Sequence, residues 1–131
     1  MHMEPIETTV ARLWIDADQV IHIHFKPTDK HGLDEARSVV SAHNQLAAGS
    51  QCPVLADIQN VTVGADRDAR EYYVSEESSR YKTGMAMIVS SPMQRMLGNI
   101  FFKINRPPYP TRLFSQQTDA LKWLHELESS T

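Results

Sequence analysis

The part of the sequence that most constrains the fold is the stretch over residues 84–127, where apolar runs and turn-forming residues alternate in a regular order. The apolar run at residues 85–89 has the length of a buried strand. The Ser-Pro pair at positions 91–92 suits a helix start, because serine caps a first turn and proline is tolerated there. Residues 111–114 give a second strand, and Ser115 is placed to cap a last helix. This stretch predicts two successive strand-helix units.

The helix between these two strands has an apolar stripe, which we expect to be buried. The stripe consists of Met93, Met96, Leu97, Ile100, Phe101 and Ile104. Apolar residues at this spacing are typical of an amphipathic helix that packs on a core. The prolines at positions 107–108 end the helix after Arg106, because proline lacks an N–H and disfavours helical backbone before it. Phe102 lies about 100° further round the helix than Phe101, and we expect it to be exposed.

The first half of the sequence predicts a hairpin, two helices and one more strand. Residues 7–15 and 20–25 are rich in strand-forming side chains, and the link between them is too short for a parallel crossover. They should therefore form an antiparallel hairpin. A helix is expected over residues 33–47 with Gly49 as its stop signal, then a strand over residues 52–58 and a thinly apolar helix over residues 66–80. The order ββαβαβαβα predicts an α/β fold with a mixed, mostly parallel sheet.

The composition is that of one globular domain. The chain has 131 residues, of which 41% are hydrophobic and 22% charged, so we expect a single domain over residues 1–131. A net charge of −3 gives no reason to expect binding to nucleic acid. A single cysteine excludes an internal disulfide, and no apolar run approaches the roughly 20 residues of a membrane span. The first residues lack the apolar core of a signal peptide, which predicts a cytoplasmic location.

The sequence contains no motif of an active site. It has no Gly-x-Ser-x-Gly elbow, no Walker loop and no Gly-x-Gly-x-x-Gly, so we predict neither enzymatic activity nor a bound cofactor. His22 and His24 lie two residues apart on a strand and should point to one face. Because a metal site needs three or four ligands at suitable spacing, we interpret this pair as part of an exposed polar face and assign no metal. We expect His43 to be partly buried and Cys52 to be structural.

Two segments of the chain resemble a known group of proteins. Residues 84–114, GMAMIVSSPMQRMLGNIFFKINRPPYPTRLF, followed by DALKWLHEL, look like the recurrent signature of a group of uncharacterised bacterial proteins. The order of elements over most of the chain is similar to that of the related STAS or SpoIIAA-like domains, the fold of bacterial anti-sigma-factor antagonists. The resemblance implies a SpoIIAA-like fold with helices mainly on one face of the sheet. It also implies binding to a partner protein, and some domains of this kind bind nucleotides or lipids.

The chain departs from regulatory antagonists at one turn. Those proteins carry an Asp-Ser-Ser-Gly-like turn after the third strand, where a partner kinase phosphorylates a serine. Residues 63–68 of this chain read VGADRD, and Asp66 falls about where that serine would be. The resemblance therefore implies a domain that lacks the phosphorylatable serine. Two explanations of Asp66 stay open: it caps the following helix, or it supplies a permanent negative charge at a binding surface.

The predicted function is a non-enzymatic STAS-like binding or regulatory role through protein contact. Ligands of open α/β sheets favour the carboxyl ends of the strands, where helix N-termini present free N–H groups. This rule and the expected exposure of Phe102 give a candidate recognition surface: Asp66, Arg67, Arg70, Ser90, Ser91 and Phe102. The alternative function is a carrier or sensor of a lipid or other small apolar ligand in a pocket under the third helix. A homodimer through an apolar patch at Phe102 is a further possibility.

Overall fold

The computed structural model of the chain describes residues 3–129, which form a six-stranded sheet with helices on both faces. The strands are β1 (Ile6–Glu7), β2 (Ala11–Ile15), β3 (Ile21–Phe25), β4 (Cys52–Asp57), β5 (Lys82–Ile88) and β6 (Thr111–Phe114). The helices are α1 (Leu33–Ala47), α2 (Arg67–Tyr73), α3 (Glu76–Ser79), α4 (Pro92–Asn105) and α5 (Gln117–Ser129).

The sheet is mixed and follows the order of the chain from β1 to β6. Strands β1, β2 and β3 are antiparallel, and β3 to β6 are parallel, with helices in each crossover. This confirms the predicted fold class and the predicted hairpin. The first strand-like run is not continuous, however, because Thr8 makes a turn: its hydroxyl accepts hydrogen bonds from the N–H groups of Val10 and Ala11. The run therefore gives two strands, β1 and β2.

The two faces of the sheet carry different helices. On one face, which we call the helix-rich face, α1 buries Val39, Ala42 and Leu46 against strand residues such as Leu13 and Ile23. Helices α2, α3 and α4 lie on this same face. On the other face, α5 alone buries its inward side chains, including Ala120 and Leu124, against β4 and β5. The expectation that helices lie mainly on one face is confirmed.

The predicted helix over residues 66–80 is wrong in one respect, because it is two short helices. Helix α2 ends at Tyr73, and α3 begins at Glu76 with Ser75 as its cap, whose hydroxyl accepts a hydrogen bond from the Ser78 N–H. Serine competes for backbone N–H groups in this way and so favours a helix start over a helix interior. Strand β5 also begins earlier than predicted, at Lys82. The last helix begins at Gln117, so Ser115 lies outside its first turn.

Helix α4 has the predicted ends, but the prediction that its apolar stripe is buried is wrong. Five of its six stripe residues are exposed: Met93, Met96, Leu97, Ile100 and Ile104. Gly98 is the buried residue of α4, and a Cβ there would lie only 3.1 Å from Leu113 Cδ2. The side of the helix that faces the sheet carries Gly98 and the half-buried Gln94, Phe101 and Asn105. Because α4 contacts β6 through Gly98, the apolar stripe of the helix lies beside this contact and is not buried in it.

Within residues 3–129 we find no helix with both the length and the hydropathy needed to cross a membrane.

The different burial of two leucines gives a test of this packing. Leu124 on α5 is 1% exposed, whereas Leu97 on α4 is 56% exposed. We expect Leu124→Ala to lower the free energy of unfolding by about 2–5 kcal/mol, because it leaves a cavity in the core. Leu97→Ala should lower it by less than about 0.5 kcal/mol, because that side chain lies outside the core. Urea unfolding followed by circular dichroism measures both, and equal losses would contradict the exposed position of the α4 stripe.

Candidate functional site

The exposed stripe of α4 forms one wall of a large groove on the helix-rich face. Met93, Leu97, Ile100 and Ile104 line this wall, and α1, α2 and α3 contribute the facing side. Side chains of the central strands, such as Ala56, Met85 and Met87, form the floor. The cavity has a volume of about 930 Å³, near the upper end of the range of about 300–1,000 Å³ that is common for small-molecule sites.

The beginning of α4 is fixed to the carboxyl end of the sheet by one side chain. Gln94 Oε1 accepts hydrogen bonds from the N–H of Ser90 at 2.8 Å and from its hydroxyl at 3.1 Å. Gln94 Nε2 donates to the carbonyl oxygens of Ile58 and Gln59, which follow β4. The Ser91 hydroxyl accepts from the Gln94 N–H and so caps the helix. These bonds hold the start of α4 in place beside the loop after β4, at the carboxyl end of the sheet.

Two neutral side chains form a polar contact on the far wall of the groove. His31 Nε2 lies 2.6 Å from the Tyr73 hydroxyl, and the two rings meet edge to face. Burial lowers the pKa of His31 and raises the pKa of Tyr73 well above its usual value. Both groups are therefore uncharged near neutral pH, and the contact is a hydrogen bond between neutral groups.

A buried lysine lies at the end of the groove that is next to the amino ends of the parallel strands, which we call the amino end of the groove. Lys82 is the first residue of β5 and is only 8% exposed. Its ammonium donates to the carbonyl oxygen of Ser78 and lies 3.4 Å from the Ser78 hydroxyl. Among residues 3–129 it forms no ion pair with a carboxylate. Burial lowers the pKa of Lys82 to about 8. At neutral pH the ammonium is therefore still charged in most of the protein molecules.

His43 also lines this groove and is fully buried, so the expectation of a partly buried ring is wrong. Its side chain is 0% exposed because the apolar residues of α1 pack it against the sheet. Nδ1 lies 2.9 Å from Asn44 Oδ1, while Nε2 has no hydrogen-bond partner in the described part of the chain. Burial, together with the smaller effect of the charge of Lys82, lowers the pKa of His43 to about 4. The ring is therefore neutral at neutral pH.

Four of the six predicted recognition residues line the same groove, namely Arg67, Arg70, Ser91 and Phe102. Arg67 Nε is paired with Glu71 at 3.1 Å, and Arg70 Nη1 donates to the Ala65 carbonyl oxygen at 2.6 Å. The expected exposure of Phe102 is wrong, because its ring is half-buried beside Phe101, with ring centroids 5.6 Å apart.

The other two predicted recognition residues, Asp66 and Ser90, do not line the groove. Asp66 caps α2: its carboxylate accepts a hydrogen bond from the Ala69 N–H at 3.0 Å. Ser90 is exposed and supports α4 through its bonds to Gln94. The capping explanation of Asp66 is therefore confirmed by geometry, and a role for its charge in recognition stays a proposal.

Two further histidines, His22 and His24, lie on the opposite face of the sheet, where α5 packs. His22 and His24 share this face, as predicted, but His22 is buried: its ring stacks on Trp14 at 4.9 Å and its Nε2 lies 2.9 Å from Asp16 Oδ2. The prediction of an exposed face is thus wrong for His22, and His24 is half-buried. Within residues 3–129, no group of three or more His, Cys, Asp or Glu side chains could hold a metal. Cys52 is buried, and burial raises the pKa of its thiol.

Sequence reasoning did not find Lys82 or the size of the groove. The lysine stands directly before an apolar strand, in RYKTGMAMI, a position that is typical of an exposed turn. Alternation along the strand would have placed it on the wrong face, because Lys82 is in step with Ala86 and Ile88, which pack against α5. A register shift between Cys52 and Pro53 leaves Lys82 paired with Cys52, on the helix-rich face.

The model of the DUF7793 family, a domain of unknown function, matches residues 13–128. The chain belongs to the DUF7793 family. This DUF7793 domain is also similar to the crystal structure of an uncharacterised protein of the DUF3478 family from Shewanella loihica PV-4, which has a SpoIIAA-like fold. The likeness covers 91% of this chain and 98% of that one, with a TM-score of 0.67 and 16% identity. It shows the fold, and it confirms the SpoIIAA-like expectation.

A crystal structure of a protein of unknown function from Arthrobacter sp. FB24 is 24% identical to the DUF7793 domain. That likeness covers 91% of this chain and 95% of the other, with a TM-score of 0.34. No curated protein matches the sequence.

The cap at Asp66 can be tested by two substitutions that differ in one property. Asp66→Ala should lower the free energy of unfolding by about 1 kcal/mol, because an N–H at the start of α2 loses its acceptor. Asp66→Asn keeps a capping oxygen and removes the charge, so it should change stability by only a few tenths of a kcal/mol. Urea unfolding of both variants is the measurement. Equal losses would show that the charge, rather than the cap, stabilises this turn.

The buried His43 should make stability depend on pH. The unfolded chain takes up a proton at His43 below about pH 6.5, whereas the folded protein does so only near pH 4. Stability contributed by the neutral ring is therefore lost as pH falls through this window. In His43→Leu, the slope of unfolding free energy against pH should be smaller by up to about 1.4 kcal/mol per pH unit. His31 is unchanged in the variant, and identical slopes in both proteins would contradict the prediction.

Proposed function

We propose that this DUF7793 domain is a non-enzymatic STAS-like binding domain that carries or senses a small apolar ligand in the groove beside α4. The observation that supports this most is the exposure of the groove wall. Met93, Leu97, Ile100 and Ile104 are between 45% and 74% exposed, although they lie on one face of one helix. Scattered apolar residues are common on protein surfaces, but a contiguous patch of this kind marks a binding site.

The concave shape of the patch favours a small ligand. A ligand that enters the groove contacts both the α4 wall and the strand floor, and it removes apolar area from water on several sides at once. Each buried methylene group contributes about 0.8 kcal/mol to such binding. A few polar groups among many apolar ones, here the His31–Tyr73 pair, Lys82 and His43, are also typical of small-molecule sites.

The chemistry of the groove supports binding rather than catalysis. His31 Nε2 and the Tyr73 hydroxyl are hydrogen-bonded to each other, and burial keeps both side chains neutral. Outside the groove, the buried thiol of Cys52 has a raised pKa, which makes it a poorer nucleophile. A general base needs a pKa near the working pH: the pKa of His43 lies near 4, and Lys82, whose pKa is about 8, is mainly protonated at neutral pH and donates to Ser78.

A protein partner is the second candidate, and the position of the predicted recognition residues favours it. Arg67, Arg70, Ser91 and Phe102 line the groove, so a protein bound there would contact them. Met96 is exposed on α4 outside the groove wall, and a partner or a second copy of the chain that covers this helix would bury it. A small ligand in the groove would leave Met96 exposed, which separates the two candidates.

Two substitutions on α4 test the proposal. Met96 and Leu97 are both 56% exposed, but only Leu97 lines the groove. We expect Leu97→Glu to weaken binding of the neutral apolar dye N-phenyl-1-naphthylamine at least about tenfold, because it places a charge in the apolar groove. Met96→Glu should change the affinity by less than about twofold. A fluorescence titration of the full chain measures both.

The same two variants, Leu97→Glu and Met96→Glu, also distinguish a small ligand from a protein partner. Unfolding curves should coincide for the two variants, since both side chains are equally exposed. Dye binding that is unaffected by Leu97→Glu would contradict the proposal. Association with a protein or with a second copy, seen by sedimentation and disrupted by both substitutions, would favour the protein-contact candidate instead.

A further inference from the structure

The amino end of the groove carries a buried positive charge without a counter-charge among the described residues. The ammonium of Lys82 has three N–H donors, and its recorded acceptors are the carbonyl and hydroxyl oxygens of Ser78. Of the two arginines that line the groove, Arg67 is paired with Glu71, and Arg70 is half-buried against the Ala65 carbonyl. Lys82 is therefore the deeply buried cation of this cavity.

A second polar group lines the same cavity and lacks a partner. His43 Nε2 is fully buried and has no hydrogen bond within residues 3–129. Lys82 and His43 both line the groove. Buried charges are normally paired, and buried polar atoms are normally hydrogen-bonded, because desolvation is otherwise costly. The buried ammonium of Lys82 therefore points to a negatively charged head group at this end, whereas His43, whose Nδ1 donates to Asn44 Oδ1, offers Nε2 only as an acceptor.

The rest of the groove is apolar and long. Met93 and Ile104, at the two ends of the α4 wall, are eleven residues apart, which corresponds to about 17 Å along the helix axis. Helix α4 runs from the carboxyl ends of the strands, where β5 finishes, back to their amino ends, where Lys82 lies. An elongated chain that lies along α4 can therefore place one of its ends beside Lys82.

We propose that the ligand of this groove is a long-chain carboxylate, with its carboxylate at Lys82 and its hydrocarbon chain along α4. This inference rests on the proposed function, since it names the class of ligand that the groove binds. A carboxylate carries the single negative charge that balances one ammonium, and it accepts a charge-assisted hydrogen bond from it. A phosphate monoester carries more charge than Lys82 alone can balance, and a cationic amphiphile would be repelled.

Lys82 also has a structural contact, and the test has to separate the two roles. Its ammonium donates to Ser78, in the short helix α3, and so helps to end that helix. A purely structural lysine would affect all ligands of the groove alike. A lysine that binds the head group would affect the carboxylate and leave the uncharged ligand of the same length almost unchanged.

The experiment compares three amphiphiles of equal chain length on the full protein. Hexadecanoate, hexadecan-1-ol and hexadecyltrimethylammonium each displace N-phenyl-1-naphthylamine near pH 7, below their aggregation concentrations. We expect hexadecanoate to bind at least about tenfold more tightly than the alcohol, and the cation to bind most weakly. Lys82→Met should reduce the ratio of carboxylate to alcohol affinity to about one, and Lys82→Arg should keep most of it.

The wild-type protein gives a second measurement that needs no substitution. Hexadecanoate affinity should be constant near pH 7 and fall above about pH 8, because Lys82 loses its proton there. The alcohol should show no such loss. The other titratable groups with shifted pKa values along the groove do not change charge in this range: His31 and His43 are already neutral, and the pKa values of Tyr73 and Tyr109 are raised. If Lys82→Met fails to fold, this pH series decides.

The outcomes separate this inference from the function on which it rests. Equal affinity for the carboxylate and the alcohol in the wild-type protein, or an unchanged ratio in a folded Lys82→Met variant, overturns the carboxylate assignment but leaves an apolar groove. Absence of binding by the dye and by all three amphiphiles overturns the proposed function itself.

Discussion

The contact between α4 and β6 decides the character of the helix-rich face. Gly98 sits so close to Leu113 that a Cβ at this position would lie 3.1 Å from Leu113 Cδ2, and the leucine side chain would have to shift slightly. Gln94 ties the start of the same helix to the loop after β4. With these two attachments, α4 presents glycine, amide and aromatic side chains to the sheet. Its methionine, leucine and isoleucine side chains form the wall of the groove.

The polar groups of the groove come from parts of the chain that are far apart in sequence. His43 belongs to α1, Ser78 to α3 and Lys82 to the start of β5. Parallel strand order brings these elements to one end of the helix-rich face. Burial there lowers the pKa of both His43 and Lys82, because a low-polarity environment disfavours the charged form of each base. The groove therefore combines a long apolar wall with one polar end.

The predicted recognition residues show what the residue types at turns can predict and what they cannot. Strand ends, serines before proline and an aspartate before a helix can be read locally, and these signals correctly located the caps of α2 and α4. They did not separate residues that support the backbone, such as Asp66 and Ser90, from those that line the groove, such as Arg67 and Phe102. That separation depends on the direction in which each element leaves the sheet.

The sequence by itself determined the order of the elements, most of their ends, the hairpin and the fold class, because these follow from local spacing of apolar residues and from proline, glycine and serine at turns. It also predicted correctly which residues form the apolar stripe of α4. Only the tertiary structure decided that this stripe borders a groove, that His22 and His43 are buried, and that Lys82 lies on the helix-rich face. The physical reason is that helical periodicity tells which residues share a face, whereas the close approach at Gly98 and Leu113 decides which face meets the sheet.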